Sequence, residues 1–381
     1  MTISPAVVIG TGLVGASVGC ALTAAGHRVH LEDRSLSHAR VAAGVGAGTL
    51  DPAVGTEVAL VVVAVPPNAL APVIIDGLHR FPYATVTDVG SVKAGVLNAL
   101  WDSDADVARY VGSHPMAGSQ FSGPVTARAD LFTDRTWVIA PHRKSAQAAT
   151  DTVRELVRAC RAQEVIMDVD VHDAAVARVS HLPHLMSVLM AGRLTEVPAE
   201  QLQLAGQGLR DVTRIAGSDP GLWQQILGAN SGALLPELRA IQDQLGELIK
   251  AIEDDRAGRP EPARRNGQDG TGAGASELRP HLERGVAGTR RIPGKHGAAP
   301  VQYRRLVVEI PDTPGALSRL FAGVGQAGVN VEDIAIQHDP DRQLGYLSLA
   351  VDPDQADALS TAMTAAGWVV GEPDPSPDLP D

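Results

Sequence analysis

Through the first 170 residues, short runs of Val, Ile, Leu and Ala alternate with stretches of helical periodicity. The runs predict strands at Ala6–Ile9, Arg28–Leu31, Val58–Val65, Ala84–Asp88, Arg109–Gly112, Thr136–Ala140 and Glu164–Met167. Val58 to Val65 is apolar at almost every position, the mark of a strand covered on both faces. Strands of this kind between helices predict a doubly wound α/β sheet over residues 1–170.

From His172 the strand signals cease, and residues 171–256 read as an all-helical domain. Within it Leu234, Leu238, Ile241, Leu245, Leu248 and Ile252 recur at spacings of four and three. Such a stripe fits a helix packed on its own domain and equally a dimer seam. Residues 257–303, rich in Arg, Gly, Pro and Ala, lose that period and predict a flexible linker. Order resumes over 304–373: a strand at Arg305–Ile310, a helix at Ala316–Ala327, strands near Val329–His338 and Tyr346–Val351, and a helix over 354–366. This predicts a small α+β module of βαββαβ order, followed by a disordered tail at 374–381.

The chain has 381 residues, 44% of them hydrophobic but only 3% aromatic, so aliphatic side chains must fill its cores. A net charge of −12 argues against nucleic acid as partner. Two cysteines, Cys20 and Cys160, support no disulfide framework. No basic leader precedes the first strand and no apolar run spans a bilayer, so a cytoplasmic protein without membrane contact is expected.

The first strand runs into Gly10-Thr11-Gly12-Leu13-Val14-Gly15 and then a helix. Gly10 permits a tight turn, Gly12 lets a pyrophosphate approach the backbone, and Gly15 lets helix and strand pack closely. The helix N-terminus supplies N–H donors to the phosphates. A second strand ends at Asp33, 18 residues after Gly15, where its carboxylate can accept from both adenosine ribose hydroxyls. Together these predict a Rossmann unit binding a dinucleotide, with Val65 at the end of the third strand beside it. Asp33 favours NAD; its neighbour Arg34 is compatible with the 2′-phosphate of NADP. Glu32 should face the other side of the strand.

Polar groups cluster where the C-terminal edge of the sheet should lie: Asp88-Val-Gly-Ser91-Val-Lys93, and Gly112-Ser-His114-Pro-Met-Ala-Gly118-Ser-Gln120. The helical region adds Ser180-His181-Leu-Pro-His184 and Arg210-Asp-Val-Thr-Arg214. His181 and His184 lack a third ligand at a convincing spacing, so no metal is expected. Trp223 suits a pocket or a core equally, Lys93 a cofactor contact or a helix cap, and Ser17 packing.

Taken together, GSHPMAG, SVK, and SHLPH followed by RDVTRIAGSDPGLW resemble the prephenate dehydrogenase family over roughly residues 6–254. The segments Ile310-Pro-Asp312-Thr-Pro314-Gly315-Ala316-Leu317 and Ala327-Gly-Val-Asn330-Val331 resemble an ACT domain, an amino-acid-binding regulatory module. The resemblance implies NAD-dependent oxidative decarboxylation of prephenate to 4-hydroxyphenylpyruvate. It implies His114 as acceptor for the substrate hydroxyl, with Ser91 fixing that geometry. Arg214 would clamp a carboxylate, Asp173 would hold Arg214 by an ion pair, and Arg210, His184 and Trp223 would line the pocket, with His172 a secondary candidate. A homodimer is implied, with tyrosine or another aromatic amino acid as effector at Asp312–Leu317 and Asn330–Val331. The family commonly carries Glu where this chain has Gln120, which leaves open whether arogenate replaces prephenate as substrate. Two other readings differ more. A β-hydroxyacid dehydrogenase would want a catalytic Lys in the helical domain, and residues 172–249 contain none. An amino-acid-sensing regulator with a vestigial Rossmann domain would have no need of Ser91, His114 and Arg214 together.

Overall fold

A computed structural model describes residues 3–118, 123–258, 278–292, 303–339 and 344–371. The chain divides into two compact units, Met1–Leu278 and Arg279–Asp381.

The first unit opens with β1 (Ala6–Ile9), α1 (Leu13–Ala24), β2 (Val29–Glu32), α2 (Leu36–Gly44), β3 (Leu60–Val63), α3 (Pro67–Arg80), β4 (Thr85–Asp88) and α4 (Ala94–Trp101). These strands form a wholly parallel sheet in the order β2-β1-β3-β4. Its two faces are both buried, and alternate residues divide between them. Val8, Leu60 and Val62 join one core with Val18 and Leu22 of α1, while Val7, Val61 and Val63 join another with Leu70, Ile74 and Leu78 of α3. The order places a crevice between the ends of β1 and β3, where doubly wound sheets bind ligands.

Three more strands, β5 (Gly112–Pro115), β6 (Thr136–Ala140) and β7 (Gln163–Ile166), form a sheet in which β5 runs antiparallel to β6. A single parallel bridge between Val86 and Tyr110 joins the two sheets. The strand expected at Arg109–Gly112 therefore starts three residues later. Val107–Arg109 is a 3-10 turn capped by Asp106, and the Arg109 guanidinium donates to the carbonyls of Leu78, Phe81 and Ala84. That satisfies the end of α3 and delays β5, so His114 sits within the strand instead of the loop after it. Helix α5 (Gln147–Ala159) covers this part through Val153, Leu156 and Val157.

The helical part comprises α6 (Val169–Val176), a π turn at Ala177–His181, α7 (Leu182–Arg193), α8 (Ala199–Leu202), α9 (Gln207–Thr213), α10 (Pro220–Ala229) and α11 (Ser231–Gly258). The stripe on α11 divides along its length. Leu234 is 4% exposed against its own domain, whereas Leu245 and Ile252 stand 54% and 50% exposed.

In the second unit α12 (Arg279–Thr289) crosses a stretch expected to be linker; Leu282 and Val286 share a face there, and Arg279 pairs with Glu283 one turn on. The remainder, 259–277 and 293–302, and the tail 374–381 lie outside the described residues. Then follow β8 (Arg304–Pro311), α13 (Ala316–Gln326), β9 (Val331–Asp339), β10 (Leu344–Val351), α14 (Pro353–Ala365) and β11 (Val370–Gly371). They make the expected βαββαβ module, an antiparallel sheet in the order β11-β8-β10-β9 packed on α13 and α14 through Leu306, Val308, Leu320, Leu349 and Leu359.

The tightest approach in the first unit is at Gly15, where an added Cβ would lie 1.9 Å from the Gly10 carbonyl oxygen. A Gly15→Val variant should lose about 1–3 kcal/mol through overpacking. Urea unfolding should show it as a lower midpoint with an unchanged slope.

Candidate active site

At the end of β1, Gly10 has φ +95°, and a Cβ there would meet the Ala64 carbonyl oxygen at 2.3 Å, with the Val65 side chain next to it. Gly12 caps α1 and has open space where a side chain would stand. This cradle fits a pyrophosphate. Leu13 and Val14 pack into the core, leaving their backbone at the helix N-terminus. Beside the turn, Asp33 Oδ2 accepts from the Thr11 backbone N–H and hydroxyl at 2.7 and 2.9 Å, and Oδ1 from the Ser35 N–H at 2.7 Å. Burial pushes the Asp33 carboxyl up, but these bonds outweigh it and hold the pKa below its usual value. Glu32 instead bonds Arg80 at 2.7 Å, and Arg34 is exposed.

Beyond β4 the chain turns sharply under its own ion pair. The Lys93 ammonium, 1% exposed, pairs with Asp88 Oδ2, which also accepts from Gly90 N–H. Asp88 Oδ1 accepts from the Tyr110 hydroxyl at 2.8 Å. The loop carrying Ser91 is thereby folded over a buried polar cluster. Lys93 occupies the N-cap position of α4, one of the roles expected of it, but its side chain makes no cap bond and is spent inside the protein.

His114 Nδ1 lies 3.0 Å from His172 Nε2, and His172 Nδ1 lies 2.8 Å from Asp173 Oδ1. Asp173 also accepts from the N–H groups of Lys93 and Ala94, capping α4 from α6. Burial pushes the Asp173 carboxyl up; the bonds from His172, Ala94 and Lys93 more than reverse this and leave it lowered. Asp173 is thus not the partner of Arg214 that the resemblance implied, because its oxygens are occupied by α4 and His172. His172, fully buried, is not a pocket residue but the support of His114. Burial, with neighbouring His172, Lys93 and His181, drives the His114 pKa well below its usual value, so the ring is neutral.

The π turn brings Ser180 and His181 to a cavity of about 310 Å3 lined also by Ser91, His114, Met116, Trp223 and Ile226. The Asn230 amide lies 3.1 Å from His181 Nδ1. Trp223 stacks flat on His184, ring centroids 3.5 Å apart. Arg210 and Arg214 are both exposed and do not line this cavity. Gln120 lies outside the described residues. Sequence reasoning missed Asn230, which nothing local marks; Lys93 and Ser180 stand inside the segments it singled out, but without the roles the structure gives them. In the second unit, Gly315 takes φ +82° to start α13, while Asp312, Pro314, Leu317 and Asn330 are exposed. Ala316, expected at an effector site, is 2% exposed in the core, so only its backbone is available. Val331 likewise packs against that core.

Two outcomes follow from these buried charges. Lys93→Met strands the Asp88 carboxylate and should cost about 3–5 kcal/mol in denaturant unfolding, largely recovered in the Lys93→Met/Asp88→Asn double variant. Burial lowers the His181 pKa to about 4, so the unfolded chain binds its proton first. Stability should therefore fall as pH drops from about 6.5 toward that value. Thermal melts of wild type across this range check it, and a His181→Gln chain should show a shallower slope.

Residues 18–166 match the family model described as "Prephenate dehydrogenase, nucleotide-binding domain", residues 168–259 that of its dimerization domain, and residues 304–364 the ACT domain. The probable prephenate dehydrogenase NovF of Streptomyces niveus is 34% identical over 95% of this chain and 98% of its own. A putative prephenate dehydrogenase from Corynebacterium glutamicum, solved by crystallography, is 29% identical with a TM-score of 0.65, over 84% of this chain and 97% of its own. Synechocystis arogenate dehydrogenase is 25% identical with a TM-score of 0.59, over 74% and 98%. The chain is an oxidoreductase with an N-terminal nucleotide-binding domain, and it belongs to the prephenate dehydrogenase family.

Proposed function

We propose that the protein is an NAD-dependent prephenate dehydrogenase, yielding 4-hydroxyphenylpyruvate and CO2. The observation that carries this is the Asp173–His172–His114 chain, which ends in a neutral imidazole on a cavity at the C-terminal edge of the sheet. The Asp173 carboxylate only accepts, so His172 holds its proton on Nδ1. A neutral His172 then accepts at Nε2 from the Nδ1–H of His114. His114 is left with a lone pair on Nε2, the form needed to take the proton of the substrate's 4-hydroxyl.

NAD would be held at Gly10, Thr11, Gly12 and Gly15 with its ribose on Asp33, and would supply the hydride acceptor. As the hydroxyl gives its proton to His114, C4 becomes a carbonyl carbon and releases its hydride. The bond from C1 to the ring carboxylate then breaks, its electron pair enters the ring, and CO2 leaves. The phenolate oxygen recovers the proton from His114. Ser91, on the same cavity, orients the hydroxyl. The burial of this wall excludes water that would solvate the imidazole.

Asp33 supports NAD over NADP. Apolar side chains left exposed on the helical part, among them Val179, Leu189, Leu204, Leu245 and Ile252, support a homodimer. In a dimer, the exposed Arg210 and Arg214 would serve as carboxylate clamps at the mouth of a site. The ACT module would hold an aromatic amino acid at its Asp312–Leu317 turn and feed back on turnover.

Reduced-nicotinamide absorbance with prephenate and arogenate, each with NAD and with NADP, tests the reading, repeated with tyrosine present. Turnover of prephenate with NAD is expected; turnover of arogenate alone would reassign the substrate. His114→Ala should lower kcat by about 10²–10⁴-fold. In wild type, kcat should stay level as pH falls through about 6.5, the usual histidine range, because His114 protonates only well below it.

A further inference from the structure

His181 is 1% exposed and lines the cavity, yet its Nε2 has no hydrogen-bond partner. Its proton position follows from its neighbours. The side-chain nitrogen of Asn230 lies 2.8 Å from the Asp173 carbonyl oxygen and 3.1 Å from His181 Nδ1. A carbonyl only accepts, so the Asn230 group between them is the NH2, and its second hydrogen meets Nδ1. Nδ1 accepts, and the neutral ring carries its proton on Nε2. Burial keeps the ring neutral, against the opposing pull of Asp173.

The cavity therefore meets two histidines in opposite states. His114 offers a lone pair and His181 an N–H. Both states trace to Asp173: the first to its carboxylate through His172, the second to its main-chain carbonyl through Asn230. A buried donor without a partner is unfavourable, and one on a cavity wall is completed by a ligand that accepts. A ring substrate with a hydroxyl at one end and carboxylates elsewhere matches this pair in one orientation, with the hydroxyl on His114.

We propose that His181 is a substrate-binding residue whose Nε2–H donates to a carboxylate oxygen of the ring substrate, and that Asn230 is the positioning residue that fixes this tautomer. The proposal rests on the dehydrogenase reading of the cavity. A neutral donor holds the carboxylate without burying a further cation beside His114, where a positive charge would oppose proton uptake.

The test uses steady-state kinetics with prephenate and arogenate, together with nitrogen-15 NMR of the histidine rings. In the wild-type protein, His181 should show the Nε2–H tautomer. His181→Met should raise KM for the ring substrate about ten- to a hundredfold, with KM for NAD unchanged. His181→Gln, which returns an amide donor near the Nε2 position, should recover most of that loss. Asn230→Asp should turn the proton to Nδ1 and raise the same KM with His181 still in place. An Nδ1–H tautomer in wild type overturns the proposal. So does an unchanged ring-substrate KM in His181→Met when wild type turns over. A wild-type chain that turns over no ring substrate overturns the dehydrogenase reading, and this proposal with it.

Discussion

The carboxylate of Asp173 joins two helices of the first unit that the chain separates widely, α6 and α4. It lies on the first helix after the sheet, 4% exposed. It closes the open N-terminus of α4, whose two N–H groups have no other partner of the helix's own, and it fixes the ring of His172. Each contact favours the ionised form, which is why burial does not neutralise it. An ion this deep is unfavourable on its own, and here the positive ends of a helix and an imidazole offset it. Moving α6 against α4 would break all of these bonds together. The distance between the helical part and the Ser91 loop is therefore fixed by chemistry as well as by packing.

Around that anchor the site contrasts with the surface nearby. Lys93, Asp88, Tyr110, Ser113 and Trp137 form a fully buried set of hydrogen bonds beneath the cavity. Such a network specifies one arrangement, since any shift leaves a donor or acceptor unpaired. The outer helical surface carries Val179, Leu189, Leu204 and Val212 in water. The outer wall has apolar area to spare, as the match to a dimerization domain leads one to expect.

The parts legible in the sequence are those governed by local periodicity or by short-range motifs. Fully apolar strands, the glycine turn and Asp33 18 residues on all follow from neighbours in the chain, and the structure brings Thr11 of that turn and Asp33 together. Ser91 could be placed on the cavity because it follows β4, whereas His114 reaches the same cavity from within β5. What was not legible depends on long-range partners. The resemblance pairs Asp173 with Arg214, but two backbone N–H groups 79 and 80 residues away hold it instead. The start of β5 was misplaced because Arg109 has β-compatible neighbours, whereas its guanidinium is drawn to carbonyls ending α3. Asn230 has no local signal at all. Its role exists only where a carbonyl and an imidazole meet.

The π turn at Ala177–His181 sets a rotational register. An α-helix advances about 100° per residue, so one residue more or fewer between two helical segments turns one against the other by that angle. The turn takes up one such residue between α6, which holds His172 and Asp173, and α7, which holds His184. Shortening it by one residue would leave both helices intact in length and composition while swinging His184 around the axis, off Trp223 of α10 and away from the side that His172 supports. Lineages that share this site should thus tolerate substitutions within Ala177–His181 far better than a change in its length.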